Sequence, residues 1–123
     1  LYKDPYSDFG RLSGELWRAC RLVVDTGVHH YRWTREEGID YYMNNTANPE
    51  GDCIGMVERH IVWPGQAVSY KIGMLKVQEL RAYAEQELGN KFSLQEFHDV
   101  VLKNGSVTMD VLEEIVVSWV DGK

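Results

Sequence analysis

The stretch LWRACRLVVDTG, residues 16–27, decides the fold class of this chain. Its apolar residues recur every three or four positions, and the residues from Phe9 onwards share the same spacing. This periodicity predicts a helix from Phe9 to Thr26 with one broad apolar face. Gly27 follows where a helix C-cap commonly stands, so we expect the helix to end there.

Five further helices are predicted downstream by periodicity and by capping residues. Thr34 with Glu37, and Ser93 with Glu96, have the spacing of capping boxes. The expected helices cover residues 34–43, 48–63, 66–88, 93–104 and 108–119. Because no segment alternates as a strand does, the sequence predicts an all-α fold of about six helices with short connections.

Composition favours one helical domain over residues 1–123. The chain is 44% hydrophobic and carries a formal net charge of -6, which argues against nucleic acid as a partner. No apolar run approaches the roughly 18 residues of a membrane span, so no span is predicted. The first residue is Leu1 rather than methionine, and we therefore expect a C-terminal fragment of a longer protein.

A charged stripe interrupts the apolar first helix. Arg18, Arg21 and Asp25 are three and four residues apart, and His29 follows four residues later. Charges in apolar surroundings must be paired or must face a polar cavity. Two interpretations stay open: a structural Arg21–Asp25 pair, or a guanidinium and an imidazole that line a ligand cleft.

The start of the fourth predicted helix is the second unusual place. Gln66, Ser69, Tyr70 and Gly73 fall close together on its first turns. The phenol of Tyr70 could donate a hydrogen bond to a developing oxyanion near the helix N-terminus. Alternatively, Tyr70 is an amphipathic packing residue and Gly73 serves a contact between helices.

Motifs for metal or nucleophilic chemistry are missing from the sequence. The four histidines are His29, His30, His60 and His98. None of them stands in an HExxH or HxxxH motif, so no metal site is predicted within the chain. His60 and His98 are expected to be partly exposed, and Cys20 and Cys53 to be buried free thiols.

Several motifs together resemble the C-terminal region of a large bacterial family, domain of unknown function 885. The motifs are DPYSDFGRL at 4–12, LWRACRLVVDTGVH at 16–29, WTRE at 33–36, WPGQA at 63–67, YKIG at 70–73, FHDVVL at 97–102 and Asn104-Gly105. They span nearly the whole chain, and their combination is specific.

The resemblance implies a much longer, mostly helical parent similar to zinc metallopeptidases of the HExxH type. Such relatives carry the zinc ligands before the segment seen here, and many look exported or lipid-anchored, although a cytoplasmic parent is also compatible. The chain lacks those ligands, so the resemblance implies that it is inactive alone. The implied zinc and peptide substrate belong to the parent, and the implied partner is the missing N-terminal catalytic part or a second copy.

The resemblance also implies supporting roles for residues of this chain. Tyr70 and His29 are expected to support catalysis, by analogy with related helical metallopeptidases in which such side chains stabilise the tetrahedral intermediate. The expected substrate-binding residues are Arg18, Arg21, Asp25, Gln66 and Lys71. The rival hypothesis is a stand-alone helical module for protein interaction or dimerisation.

Overall fold

A computed structural model of the chain describes residues 3–123, which form six α-helices and one short 3-10 helix with no strand. The helices are α1 (Pro5–His29), α2 (Arg35–Asn45), α3 (Glu50–Val62), α4 (Ser69–Leu88), α5 (Leu94–Leu102) and α6 (Met109–Asp121), and the 3-10 turn is Gly89–Lys91. This confirms the all-α prediction. The backbone divides into two compact units, one reaching Ile72 and the other running from Gly73 to Lys123. The single helical domain over residues 1–123 stays a prediction.

Helix α1 is longer than its sequence pattern predicts. Asp4 caps its N-terminus by accepting a 2.8 Å hydrogen bond from the Ser7 amide. Gly27 lies inside the helix, so its expected role as C-cap is wrong. A Cβ at Gly27 would lie 2.3 Å from a ring carbon of Trp33, and the Trp33 amide donates to the Gly27 carbonyl. Glycine is needed there because the indole packs directly on the helix backbone.

The first unit has its core where α1, α2 and α3 meet. The buried residues are Cys20, Val24, Ile39, Tyr42, Cys53 and Val57. Both cysteines are buried free thiols, as the sequence predicts. Burial raises the pKa of each thiol, so both are poor nucleophiles at neutral pH.

The second unit has a separate core formed by α4, α5 and α6. Its buried residues are Leu80, Ala84, Leu88, Phe97, Leu112, Val116 and Val120. Helix α4 begins at Ser69 rather than at Gln66, because Pro64 is followed by Gly65 in the left-handed region, with φ +79°, and residues 64–68 form turns. Gln66 therefore belongs to the turn before α4.

The capping box at the start of α2 provides a test of local stability. The Thr34 hydroxyl accepts from the Glu37 amide, and the Glu37 carboxylate accepts from the Thr34 amide. We expect Thr34→Ala to lower the free energy of unfolding by about 1 kcal/mol. Thr108→Ala is the matched control, since Thr108 caps α6 without a side-chain hydrogen bond. Urea denaturation that gives equal losses for the two variants would contradict this account.

Candidate functional site

The charged stripe of α1 faces the segment from His60 to Lys71. We name this arrangement the polar cluster; its members are Arg18, Arg21, Asp25 and His29 of α1 with His60, Gly65, Gln66, Tyr70 and Lys71. All of them lie in the first compact unit. Contacts link six of the seven residues that the sequence singles out and add His60 and Gly65, whereas the Lys71 ammonium contacts Glu15.

Asp25 is the buried anchor of the polar cluster. It is only 4% exposed, and its two carboxylate oxygens accept from the Gly65 amide at 3.3 and 3.1 Å. Gly65, whose amide makes these hydrogen bonds, has a left-handed backbone conformation. A buried carboxylate requires such donors because its desolvation is otherwise costly. Asp25 therefore ties α1 to the turn that leads into Tyr70.

His29 is held by a backbone carbonyl. Its Nε2 donates to the His60 carbonyl oxygen at 2.9 Å and lies 3.8 Å from the nearer oxygen of Asp25. Because a carbonyl oxygen only accepts, Nε2 must carry the hydrogen. The side chain is 30% exposed, so the imidazole is accessible from solvent.

His60 corrects a sequence prediction, since it is 1% exposed rather than partly exposed. Its Nε2 and the hydroxyl of the fully buried Tyr42 form a 2.7 Å hydrogen bond. Burial lowers the pKa of His60 to about 4. The sequence held a signal for this placement, because Cys53, Val57 and His60 follow one another at helical spacing on the buried face of α3.

Tyr70 lies against two arginines. The Cζ atoms of Arg18 and Arg21 are 5.7 and 5.3 Å from its ring centroid, within the range of cation–π contacts. The tyrosine is 54% exposed and stands in the first turn of α4. An accessible phenol is thus placed next to two positive charges.

The structural pair between Arg21 and Asp25 does not form among the described residues. Nη2 of Arg21 donates instead to Oε1 of Gln66 at 2.9 Å. Nε of Arg21 is buried without a hydrogen-bond partner, which costs about 1–3 kcal/mol. The interpretation of the stripe as an Arg21–Asp25 pair is therefore not supported, and the lining of a ligand cleft by a guanidinium and an imidazole stays a prediction.

Lys71 and Gly73 make no contact that supports a role at Tyr70 among the described residues. The Lys71 ammonium lies 3.5 Å from the Glu15 carboxylate on α1. A Cβ at Gly73 would meet no atom within 4 Å, so packing within the described residues does not require glycine at this position.

Within residues 3–123, no group of three or more His, Cys, Asp or Glu side chains is arranged to hold a metal ion. Over the same range, none of the helices is both long enough and apolar enough to cross a bilayer.

Comparison with known proteins gives a family and one informative relative. The family model for bacterial proteins of unknown function, DUF885, matches residues 1–116. A crystal structure described as "the putative lipoprotein from Colwellia psychrerythraea" is similar at 55% identity with a TM-score of 0.95. The match covers 98% of this chain and 20% of that one, so the chain spans about a fifth of the relative's length. No curated protein matches the chain. The chain belongs to the DUF885 family of bacterial proteins.

Proposed function

We propose that the chain is the C-terminal helical portion of a zinc-dependent peptidase and supplies residues that line the substrate cleft. The observation that carries this proposal is the polar cluster, in which residues of α1 contact residues of the segment 60–70, and Tyr70 and His29 are accessible from solvent. The similarity to a fifth of a longer relative supports a larger parent. The metal ligands would come from outside this chain, and the chain would be inactive alone.

The chemistry of the cluster suits support of a negatively charged transition state. When water adds to a peptide carbonyl, negative charge develops on the carbonyl oxygen, and a phenol can donate a hydrogen bond to it. The guanidinium groups of Arg18 and Arg21 beside the Tyr70 ring favour negative charge in this place. When its ring is neutral, Nδ1 of His29 can accept a hydrogen bond from substrate or from water.

The outer face of α1 supports the existence of a covering partner. Tyr6, Phe9, Leu12 and Leu16 are between 48% and 86% exposed on this one helix. Phe9, Leu12 and Leu16 also line an open groove of about 450 Å³ against residues 44–47. Contiguous apolar surface of this kind is typical of an interface. In our proposal, the remaining part of the longer polypeptide covers it.

The replacement Tyr70→Phe in the longer protein tests the catalytic role. It removes the phenolic donor and leaves the ring that contacts the arginines, so we expect peptide turnover to fall at least tenfold. The zinc content should stay unchanged, because Tyr70 is not a metal ligand in this proposal. Tyr31→Phe is the control, since Tyr31 is also exposed but lies outside the polar cluster. Native turnover in Tyr70→Phe would remove Tyr70 from the mechanism.

The exposed α1 face also favours a second candidate, a stand-alone helical module that dimerises or binds another protein. The reading frame upstream of the Leu1 codon separates the candidates. A frame with an HExxH motif and a later glutamate supports the peptidase, whereas a start codon directly before Leu1 supports the module. In the second case, light scattering of the 123-residue chain should show a dimer that Leu12→Glu dissociates.

A further inference from the structure

Two arginines of the polar cluster have no carboxylate partner among the residues that the structure describes. Arg18 makes one hydrogen bond there, to the Gly14 carbonyl, and Arg21 makes one, to Gln66. Some other arginines pair with acidic side chains, as Arg35 does with Glu58 and Arg81 with Glu85, whereas Arg59 lies over the Trp63 ring. Arg18 and Arg21 are distinguished by lying within about 6 Å of the same ring centroid, that of Tyr70.

The acidic side chains one helical turn away from these arginines on α1 are already engaged. Asp25 accepts from the Gly65 amide and lies near His29. Glu15 lies within ion-pair distance of both Arg11 and Lys71. Neutralisation of Arg18 or Arg21 by these two carboxylates would require the existing contacts to break.

The guanidinium carbons of Arg18 and Arg21 lie 5.7 and 5.3 Å from the centroid of the Tyr70 ring. A guanidinium that contacts a ring can still donate N–H hydrogen bonds to an anion. Each guanidinium has five N–H donors, and only one donor of each is used by a described residue. The Nε of Arg21 is buried and lacks an acceptor, so the described residues do not satisfy this guanidinium completely.

Charge favours a small anion over a large one. The net charge of -6 repels nucleic acids and other polyanions, whereas a single carboxylate meets mainly the local positive charge. Arg binds a carboxylate through two parallel N–H bonds, and two neighbouring arginines can share its two oxygens.

We propose that Arg18, Arg21 and Tyr70 form a carboxylate-binding site. The choice of a peptide as the carrier of this carboxylate rests on the proposed function, and the C-terminal carboxylate is the group that we expect the site to bind. In a peptidase, such a site would hold the end of the substrate and favour cleavage close to it.

Titration of the 123-residue chain with three blocked dipeptides at low ionic strength tests the proposal. The probes are N-acetyl-Ala-Ala with a free carboxylate, the same dipeptide as its amide, and N-acetyl-Glu-Ala amide. We expect NMR shifts at residues 18, 21 and 70 with the free acid, and affinity at least tenfold weaker with the amide. Binding of the glutamyl amide instead of the free acid would assign the site to acidic side chains. Equal binding of the free acid and its simple amide would overturn the proposal.

Arginine variants complete the test. Arg18 is exposed, so Arg18→Gln should fold normally and weaken free-acid binding at least fivefold. Arg21→Lys keeps the charge but loses the fork geometry, and we expect intermediate affinity. Arg81→Gln is the matched control and should bind as the native chain does. Native affinity in Arg18→Gln would contradict the proposal. No turnover is measured here, so failure of this test leaves the Tyr70→Phe test intact.

Discussion

Replacement of Gly27 by alanine is expected to lower the free energy of unfolding by about 3 kcal/mol, at the upper end of the range for overpacked cores. The added methyl group would lie 2.3–2.8 Å from three carbons of the Trp33 ring, where no side chain fits. Trp33 cannot move freely, because its amide is bonded to the Gly27 carbonyl and its ring contacts Tyr41. Either the indole leaves its place or α1 shifts.

Gly55→Ala is a control in which the added methyl group is expected to raise stability rather than lower it. Gly55 lies in the middle of α3, and a Cβ there would meet no atom within 4 Å. Gly55→Ala should therefore raise the free energy of unfolding by up to about 1 kcal/mol through helix propensity alone. Both variants can be compared by urea denaturation followed by far-UV circular dichroism. A Gly27→Ala variant as stable as the native chain would show that the indole does not need this glycine.

Acidification from pH 6.5 to pH 4 is expected to remove about 3 kcal/mol of stability through His60 alone. The unfolded chain binds a proton at the ordinary histidine pKa of 6.5, whereas the folded chain binds it only near pH 4. The unfolded state therefore holds more protons inside this window, and stability falls as the pH falls. Above pH 6.5 the contribution is fully present, and each pKa unit corresponds to about 1.4 kcal/mol.

The cause of the low pKa is mainly the burial of the imidazole, to which neighbouring charges add smaller effects. Arg21, His29 and Arg59 lower the pKa of His60 further, and Asp25 raises it. His60→Gln keeps a neutral hydrogen-bonding group near the Tyr42 hydroxyl, so its stability should depend less on pH than that of the native chain. His98→Asn is the control, because His98 is exposed on α5. Equal pH dependence in His60→Gln and the native chain, measured by urea denaturation at several pH values, would contradict the assignment.

Local interactions in the fold could be predicted from the sequence. The capping box of Thr34 and Glu37 is formed within four residues, so its spacing alone specifies it. Helix periodicity likewise predicts α1, although not its end. Glycine is common just after a helix C-terminus, so the residue type at position 27 suggests a cap. Its actual role depends on Trp33, which follows a turn and packs back on the helix. The spacing of apolar residues in a helix carries no information about packing across a turn.

The candidate site shows the same division between local and distant interactions. The stripe of Arg18, Arg21 and Asp25 could be recognised because its members share one side of a helix. Their partners could not be predicted, because Gly65 and Gln66 lie 40 and 45 residues away from Asp25 and Arg21. A backbone amide as the partner of a carboxylate has no signature in side-chain composition.

His60 connects the core to the polar cluster. Its ring is buried and forms a hydrogen bond with Tyr42, and its carbonyl oxygen accepts a hydrogen bond from His29. Folding has already removed the conformational freedom of that backbone, so His29 is oriented by a group that needs no further ordering. A ligand that meets this imidazole would lose less entropy on binding than one that must first fix a loop. The cost of orienting His29 is met in the folding of the three-helix core.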